Sequence, residues 1–519
     1  MTGKKNVSLP CAVGSTSYID TVKNSYYVDK TLLIRDLIDD HAAVTLFTRP
    51  RRFGKTLAVD MLKVFFEKTD EDNSVYFRDK KIWDCGEFYR KQQGAYPVIY
   101  ITFKDVKFDN WKDSLEAIRL VIRDEYMRHA DILSWDGLDV VEKDYLDRMQ
   151  KGTLSNVEYT RALLNLSRML EKYHNKKIVV LIDEYDTPIQ QGHSKGFYNE
   201  VITFMRNFMS GGLKDNPALA FGVLTGILRV SKENLFSGLN NLVVNSVLDE
   251  KYSEYFGFTS DEVTAMAAYY GREDKLNELR EWYDGYLFGN REIYNPWSVA
   301  NYFNNECKPR PFWTNTSDNE IIREIMRTLT PEIADDLILL MQGKHVQTSL
   351  NMDVIYPRIT DGADSIFSFL LMAGYLKPVK EAIETEIGTF MELALKRVRK
   401  IADRLNIPEP QYILAGNSLG SLARNVLIEL TNKYGIEINF NKHNEFKLFG
   451  VKVCCFGHGT IRDMARIRGM TSFGAYINEG TTAVEEVVRE ILNRCSGEGA
   501  RVMMDTIFRS FSILREERE

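Results

Sequence analysis

Four short runs of mostly apolar residues punctuate the first half of the chain: 42–48 (AAVTLFT), 96–103 (YPVIYITF), 178–182 (IVVLI) and 218–225 (ALAFGVLT). Apolar residues occupy successive rather than alternate positions in them, the pattern of strands buried on both faces. Segments such as 57–67 and 159–173 lie between these runs and repeat apolar residues at helical spacing. Strand–helix alternation predicts an α/β fold: a parallel sheet with helices on both faces.

Beyond residue 249 the pattern changes. In FGFTSDEVTAMAAYYG, Thr259 and Glu262 stand in capping-box register. In LTPEIADDLILLMQGK, Thr330 is placed to cap a helix, with Pro331 at its first position and Gly343 after its end. This stretch reads as mainly helical. A second shift comes near 379–387, after which MELALKRVRKIADRLNIPEP (391–410), with its basic run LKRVRKIADR (395–404), reads as a basic amphipathic helix closed by Pro408 and Pro410. Strand-like runs follow at 412–415, 451–456 and 474–477. The expected division is therefore a core over 1–248, a helical extension over 249–380 and a smaller α/β segment over 387–519.

Composition narrows the classes. A chain of 519 residues is too long for one ordinary core. Its 44% hydrophobic and 27% charged content is that of a globular protein. A net charge of -6 argues against a basic nucleic-acid coat, though not against a local basic groove. Six sparse cysteines do not make a disulfide scaffold, and Cys454, Cys455, His458 and Cys495 lack the CxxC spacing of a structural zinc site. No signal-peptide core and no membrane-length apolar run is present, so the expected location is cytoplasmic, with no membrane partner.

Candidate chemistry sits at the ends of the strand-like runs. In TLFTRPRRFGKTLAVDML (45–62), Gly54, Lys55 and Thr56 join a strand to a helix. That is the context of a phosphate-binding loop, in which backbone amides wrap phosphate, lysine reaches its terminal oxygens and a hydroxyl ligates magnesium. Arg49, however, stands where the loop's first glycine is expected. The cradle would run through Arg51, Arg52, Phe53, Gly54, Lys55, Thr56 and Leu57, with Arg51 or Arg52 adding charge. Downstream, VLIDEYDTPI ends its strand in Asp183 and Glu184, the order of a magnesium-associated aspartate and a water-activating glutamate. A third strand, FGVLTGILR, ends at Thr225, a candidate sensor of the terminal phosphate, followed by Arg229, a candidate for neutralising transition-state charge.

These stretches, with YYVDKTLLIRDLI, YPVIYITFKDV, TGILRVSKENLFSGLNNL and WYDGYLFGNREIYNPWS, resemble the ordered signature blocks of the AAA-ATPase-like family over about residues 8–380. In that family the arginine-rich RPRRFGKT is itself the usual loop. The resemblance implies an ATP-binding core with Mg2+ as cofactor and Glu184 as catalytic glutamate. Tyr27, Asp29 and Lys30 of the YYVDK block read either as a contact to adenine or as a tie between the N-terminal segment and the core. Members of the family often carry a C-terminal PD-(D/E)xK nuclease-like domain. Glu445 and Lys447 stand in ExK form here, but no aspartate block precedes them, and the pair reads as fortuitous. The tail, about 411–506, instead resembles a fragment of a phage terminase large-subunit ATPase domain. Its second acidic motif, GAYINE, has Asn478 in place of aspartate and keeps only Glu479, so independent ATPase activity is not expected.

The leading expectation is an enzyme, a P-loop ATPase that drives or switches a partner. The alternatives are a regulatory module that binds ATP without hydrolysing it, and a motor acting on nucleic acid. Besides ATP, the candidate partners are an unidentified protein, nucleic acid and further copies of the chain.

Overall fold

In the computed structural model, the described residues are 9–229, 242–312, 320–346, 348–351 and 354–378, with the backbone of the strands 411–415, 444–448, 451–456 and 502–503. The chain divides into two units, Met1–Pro378 and Val379–Glu519.

The first unit is built on five parallel strands: β1 (Val44–Thr48), β2 (Val98–Thr102), β3 (Ile178–Asp183), β4 (Leu219–Gly226) and β5 (Leu242–Asn245), in the spatial order β2-β3-β4-β1-β5. The four strand-like runs became β1 to β4, and every residue of β1 and β3 is buried. The registers Thr102↔Asp183 and Phe47↔Thr225 bring the carboxyl ends of these strands to one edge of the sheet. Ligands of open α/β sheets bind at that edge. Helices α1 (Tyr18–Asn24), α2 (Leu32–Asp40) and α3 (Lys55–Phe66) belong to the same core, and α3 leaves β1 through the glycine-containing loop.

The region expected to be mainly helical also carries a three-stranded antiparallel sheet: β6 (Phe258–Thr259), β7 (Asp284–Phe288) and β8 (Arg291–Tyr294), in the order β6-β8-β7. Its helices start where the sequence marks them. Thr259 and Glu262 form a reciprocal capping box before the helix Ser260–Tyr270, and the Thr330 hydroxyl caps the helix Pro331–Met341. The sheet lies over the β1–α3 loop: the Phe53 ring packs edge-on against Tyr286 at 4.7 Å and at a tilt against Phe288 at 5.1 Å.

The YYVDK residues tie these parts together. Asp29 accepts from the Thr31 and Lys81 amides at 2.9 and 2.8 Å. The Lys30 ammonium donates to the Glu254 carbonyl at 2.6 Å and to Glu262 at 2.5 Å, and the Tyr27 hydroxyl lies 3.4 Å from the Met61 sulfur. Of the two readings of this block, these contacts are those of a structural tie.

The second unit contains β9 (Gln411–Ala415), β10 (Asn444–Leu448), β11 (Val451–Phe456) and β12 (Val502–Met503), in the order β10-β11-β9-β12. The expected strand at 474–477, together with Asn478, Glu479, His458 and Cys495, lies outside the described residues, as does the basic segment 395–404. No described helix is long and apolar enough to cross a membrane.

Candidate nucleotide site

The loop between β1 and α3 turns on Gly54, whose φ of 82° is left-handed, a conformation that favours glycine. Gly54 caps α3 without a side chain, so the helix begins with its first amides unclaimed by a cap. Helix N-termini of this kind suit anions. Lys55 opens the helix and is buried. Its ammonium donates to the carbonyls of Arg49 and Pro50 at 3.0 and 2.9 Å, holding the loop closed on itself.

Arg49 explains how the loop does without its first glycine. Its side chain has no exposure and turns inward, away from the loop, where it donates to the carbonyls of Thr48 at 3.0 Å and Asn245 at 2.8 Å. The guanidinium also stacks at 5.1 Å over Phe256 and 5.5 Å over Phe288. Burial pulls its pKa down to about 9, partly opposed by Asp249. Arg51 donates to the Gln190 side chain at 2.9 Å, and Arg52, at φ 68°, lies 4.2 Å over the Trp297 ring. The Phe53 side chain is buried, and Leu57 packs at the border of the core.

The acidic residues close the site from the next strands. Asp183, fully buried at the end of β3, accepts from the Thr56 hydroxyl at 2.7 Å and from the Thr225 hydroxyl at 2.5 Å. The β1–α3 loop, β3 and β4 thus converge on one carboxylate. Burial pushes its pKa above the ordinary aspartate value, against the two hydroxyl donors. Burial pulls Lys55 the other way, below the ordinary lysine value, with Glu184, Asp183 and Asp186 opposing that shift. The two opposite charges share a desolvated cleft that penalises both.

Glu184 follows with a left-handed backbone, φ 51°. Its amide donates to the Thr225 hydroxyl at 3.3 Å, and its carboxylate accepts from Thr187 at 3.1 Å. Arg229 is exposed, just beyond the buried Leu228 that follows β4.

With these distances in hand, the comparisons can be placed on the chain. A family model described as Predicted AAA-ATPase matches residues 12–236. Residues 12–236 are similar to an AAA-ATPase-like domain. The match contains the loop, the acidic pair and Thr225, and the parallel sheet accords with a P-loop NTPase fold. The AAA-ATPase-like domain brings with it nucleotide binding as the general expectation. A protein of Azotobacter chroococcum mcd 1, described as an uncharacterized protein in the vnfD 5' region, is 30% identical over 331 residues. That alignment takes in 63% of this chain and 58% of the relative, so the chain spans little more than half of the relative's length.

Sequence reasoning missed Asp186, Gln190 and Tyr356. Asp186 is buried, accepts from the Ile227 amide at 2.8 Å and the Leu228 amide at 3.2 Å, and receives the Tyr356 hydroxyl at 3.2 Å. Its signal lay in plain view in the DEYD run. Tyr356 has no such signal, since 170 residues separate it from its partner.

Proposed function

We propose that the protein is a magnesium-dependent ATPase that cleaves ATP to ADP and phosphate to drive or switch a partner. The observation that carries this reading is the Asp183 carboxylate, held at once by the hydroxyls of Thr56 and Thr225 and flanked by Glu184. Magnesium beside a nucleotide takes one or two protein oxygens and leaves the remaining positions to phosphate and water. Asp183 and Thr56, 2.7 Å apart, fit that donor set. When bound, the ion would neutralise charge on the phosphates.

The protein's own groups would divide the remaining work. The α3 amides and Lys55 bind the phosphates, with Lys55 exchanging its two loop carbonyls for phosphate oxygens. Glu184 takes the proton of the attacking water as the bond to the terminal phosphorus forms and the bond to the leaving ADP oxygen breaks. Thr225 orients the terminal phosphate, and Arg229 adds positive charge as that phosphate is transferred.

A non-hydrolysing ATP switch is the second reading, favoured by the contact of Glu184 with Thr187, which occupies the carboxylate at 3.1 Å. Glu184→Gln separates the two. In an ATPase it should retain ATP and lose turnover by about a hundredfold or more, the usual worth of a general base. Unchanged turnover in that variant would sink the hydrolytic reading. Lys55→Ala should weaken ATP binding by about tenfold or more, through loss of charge-assisted contacts. Equal affinity in calorimetry would move the nucleotide site elsewhere.

A further inference from the structure

We propose that Tyr356 and Asp186 are positioning residues for hydrolysis, through which the 249–378 region sets the catalytic strand end without touching nucleotide. The inference rests on the ATPase reading above.

The link can be followed atom by atom. Asp186 is 2% exposed, and one of its oxygens, Oδ2, collects the Ile227 amide, the Leu228 amide and the Tyr356 hydroxyl. The neighbouring Tyr185 hydroxyl donates to the Leu228 carbonyl at 2.6 Å. Gly226 rests directly on this pair: a Cβ there would stand 2.6 Å from the Tyr185 ring and 2.9 Å from Asp186 Oδ1. The chain at 226–228 is therefore clamped by two side chains of the DEYD run and has no room to settle elsewhere. Thr225, the residue before it, gives its hydroxyl to Asp183 and receives the Glu184 amide. A displacement at 226–228 passes to the hydroxyl that orients both carboxylate-bearing residues.

Tyr356 closes this clamp from outside the sheet. It begins the short turn Tyr356–Arg358 and is 1% exposed, so no solvent can replace its hydroxyl. Burial and Asp186 keep the phenol protonated, hence a donor. His193 stacks on its ring at 6.2 Å, and Nε2 of the same imidazole lies 3.0 Å from Glu324. Both Glu324 and Tyr356 belong to the extension, whereas His193 lies on the helix Thr187–Lys195, which begins directly after Asp186. Movement of the extension thus has a polar route to the catalytic strand, and it ends at Asp186.

The test is Tyr356→Phe, which keeps the ring and removes the donor. The expected result is a kcat lowered about fivefold, the worth of one buried hydrogen bond appearing in the barrier, with ATP affinity within about twofold of the parent. A merely structural role would lower thermal stability and leave kcat intact below the melt; that result overturns the proposal. Amide exchange is read in parallel, and the peptide holding Ile227 and Leu228 should exchange faster in the variant. If the parent itself proves unable to hydrolyse ATP, the ATPase reading falls, and exchange alone decides the coupling: acceleration supports it and identical exchange overturns it. Asp186→Asn, read by the same measurements, is expected to move turnover and exchange in the same direction and serves where Tyr356→Phe folds poorly. No movement in either property also overturns the proposal.

Discussion

At Asp183, two hydroxyl donors do not make up for the loss of water: burial leaves the pKa above the ordinary 3.8. A raised folded-state pKa means that the stabilising form is the protonated one. That contribution is complete below pH 3.8 and disappears as pH rises through the folded value. At neutral pH the ionised carboxylate therefore weakens the protein on its own. Asp183→Asn is expected to melt at a higher temperature than the parent at pH 7, with the margin closing toward pH 4, while magnesium-dependent ATP binding falls. Thermal melts across that range, with a nucleotide titration, check both halves; a margin that does not change with pH contradicts the assignment. The same scale shows what a sequence can reveal. Gly54, Lys55 and Thr56 are contiguous, as are Asp183 and Glu184, so the sequence could mark them as candidates. Arg49 could not be read this way, because its role depends on carbonyls and rings supplied from Asn245, Phe256 and Phe288.

Among elements, β2 lies at one edge of the five-stranded sheet, where an unpaired strand is open to mispairing. Side chains of the helix Trp111–Arg128 close part of that edge. Glu125 accepts the Tyr100 amide at 2.8 Å, and Arg128 donates to the Val98 carbonyl at 2.5 Å while pairing with Glu125 at 2.7 Å. Burial pushes Glu125 up, but Arg128 and His129 outweigh it and hold the carboxyl below the ordinary 4.5. A depressed pKa gives stability above pH 4.5 that is lost as pH falls through the folded value. Glu125→Gln should therefore be less stable than the parent at pH 7 by about 2 kcal/mol or more, as expected when a buried ion pair loses one partner. The gap should shrink on acidification. Urea unfolding at pH 7 and pH 4 checks the sign, and a constant gap would assign the loss to packing instead.

In the first unit the strands recovered from sequence, β1 to β4, are those whose apolar runs reflect burial, and in the second the runs 412–415 and 451–456 became β9 and β11. β5 escaped because it is short and only its last residue, Asn245, is buried. β6 to β8 escaped for a related reason: they are brief and lie among strong helical caps. Their pairing is set by contacts between Phe258, Tyr286, Ile293 and Tyr294, not by any one run.

On the scale of the molecule, the sheet core and the following region share one interior. Phe53 is buried by Tyr286 and Phe288, Arg49 lies against Phe256 and Phe288, and Lys30 reaches Glu262. The boundary expected near residue 248 cuts across these contacts, whereas the two units separate after Pro378. A fragment of residues 1–378 is expected to be soluble and to melt in a single cooperative transition. A fragment of residues 1–248 should aggregate or lack a melt, since it exposes the faces that Phe53 and Arg49 bury. Size-exclusion chromatography with calorimetry distinguishes them, and a monomeric, cooperative 1–248 fragment would place a boundary near residue 248.

The backbone of Glu184, at φ 51°, has a consequence for how the sequence can drift. Glycine adopts that conformation freely and asparagine tolerates it, whereas glutamate holds it at a cost of about 1 kcal/mol. Mutation alone would thus carry this position toward glycine or asparagine, and the protein would gain stability on the way. Under the ATPase reading the Glu184 carboxylate offsets that cost, and a descendant that no longer hydrolyses ATP is expected to lose this residue before it loses its fold.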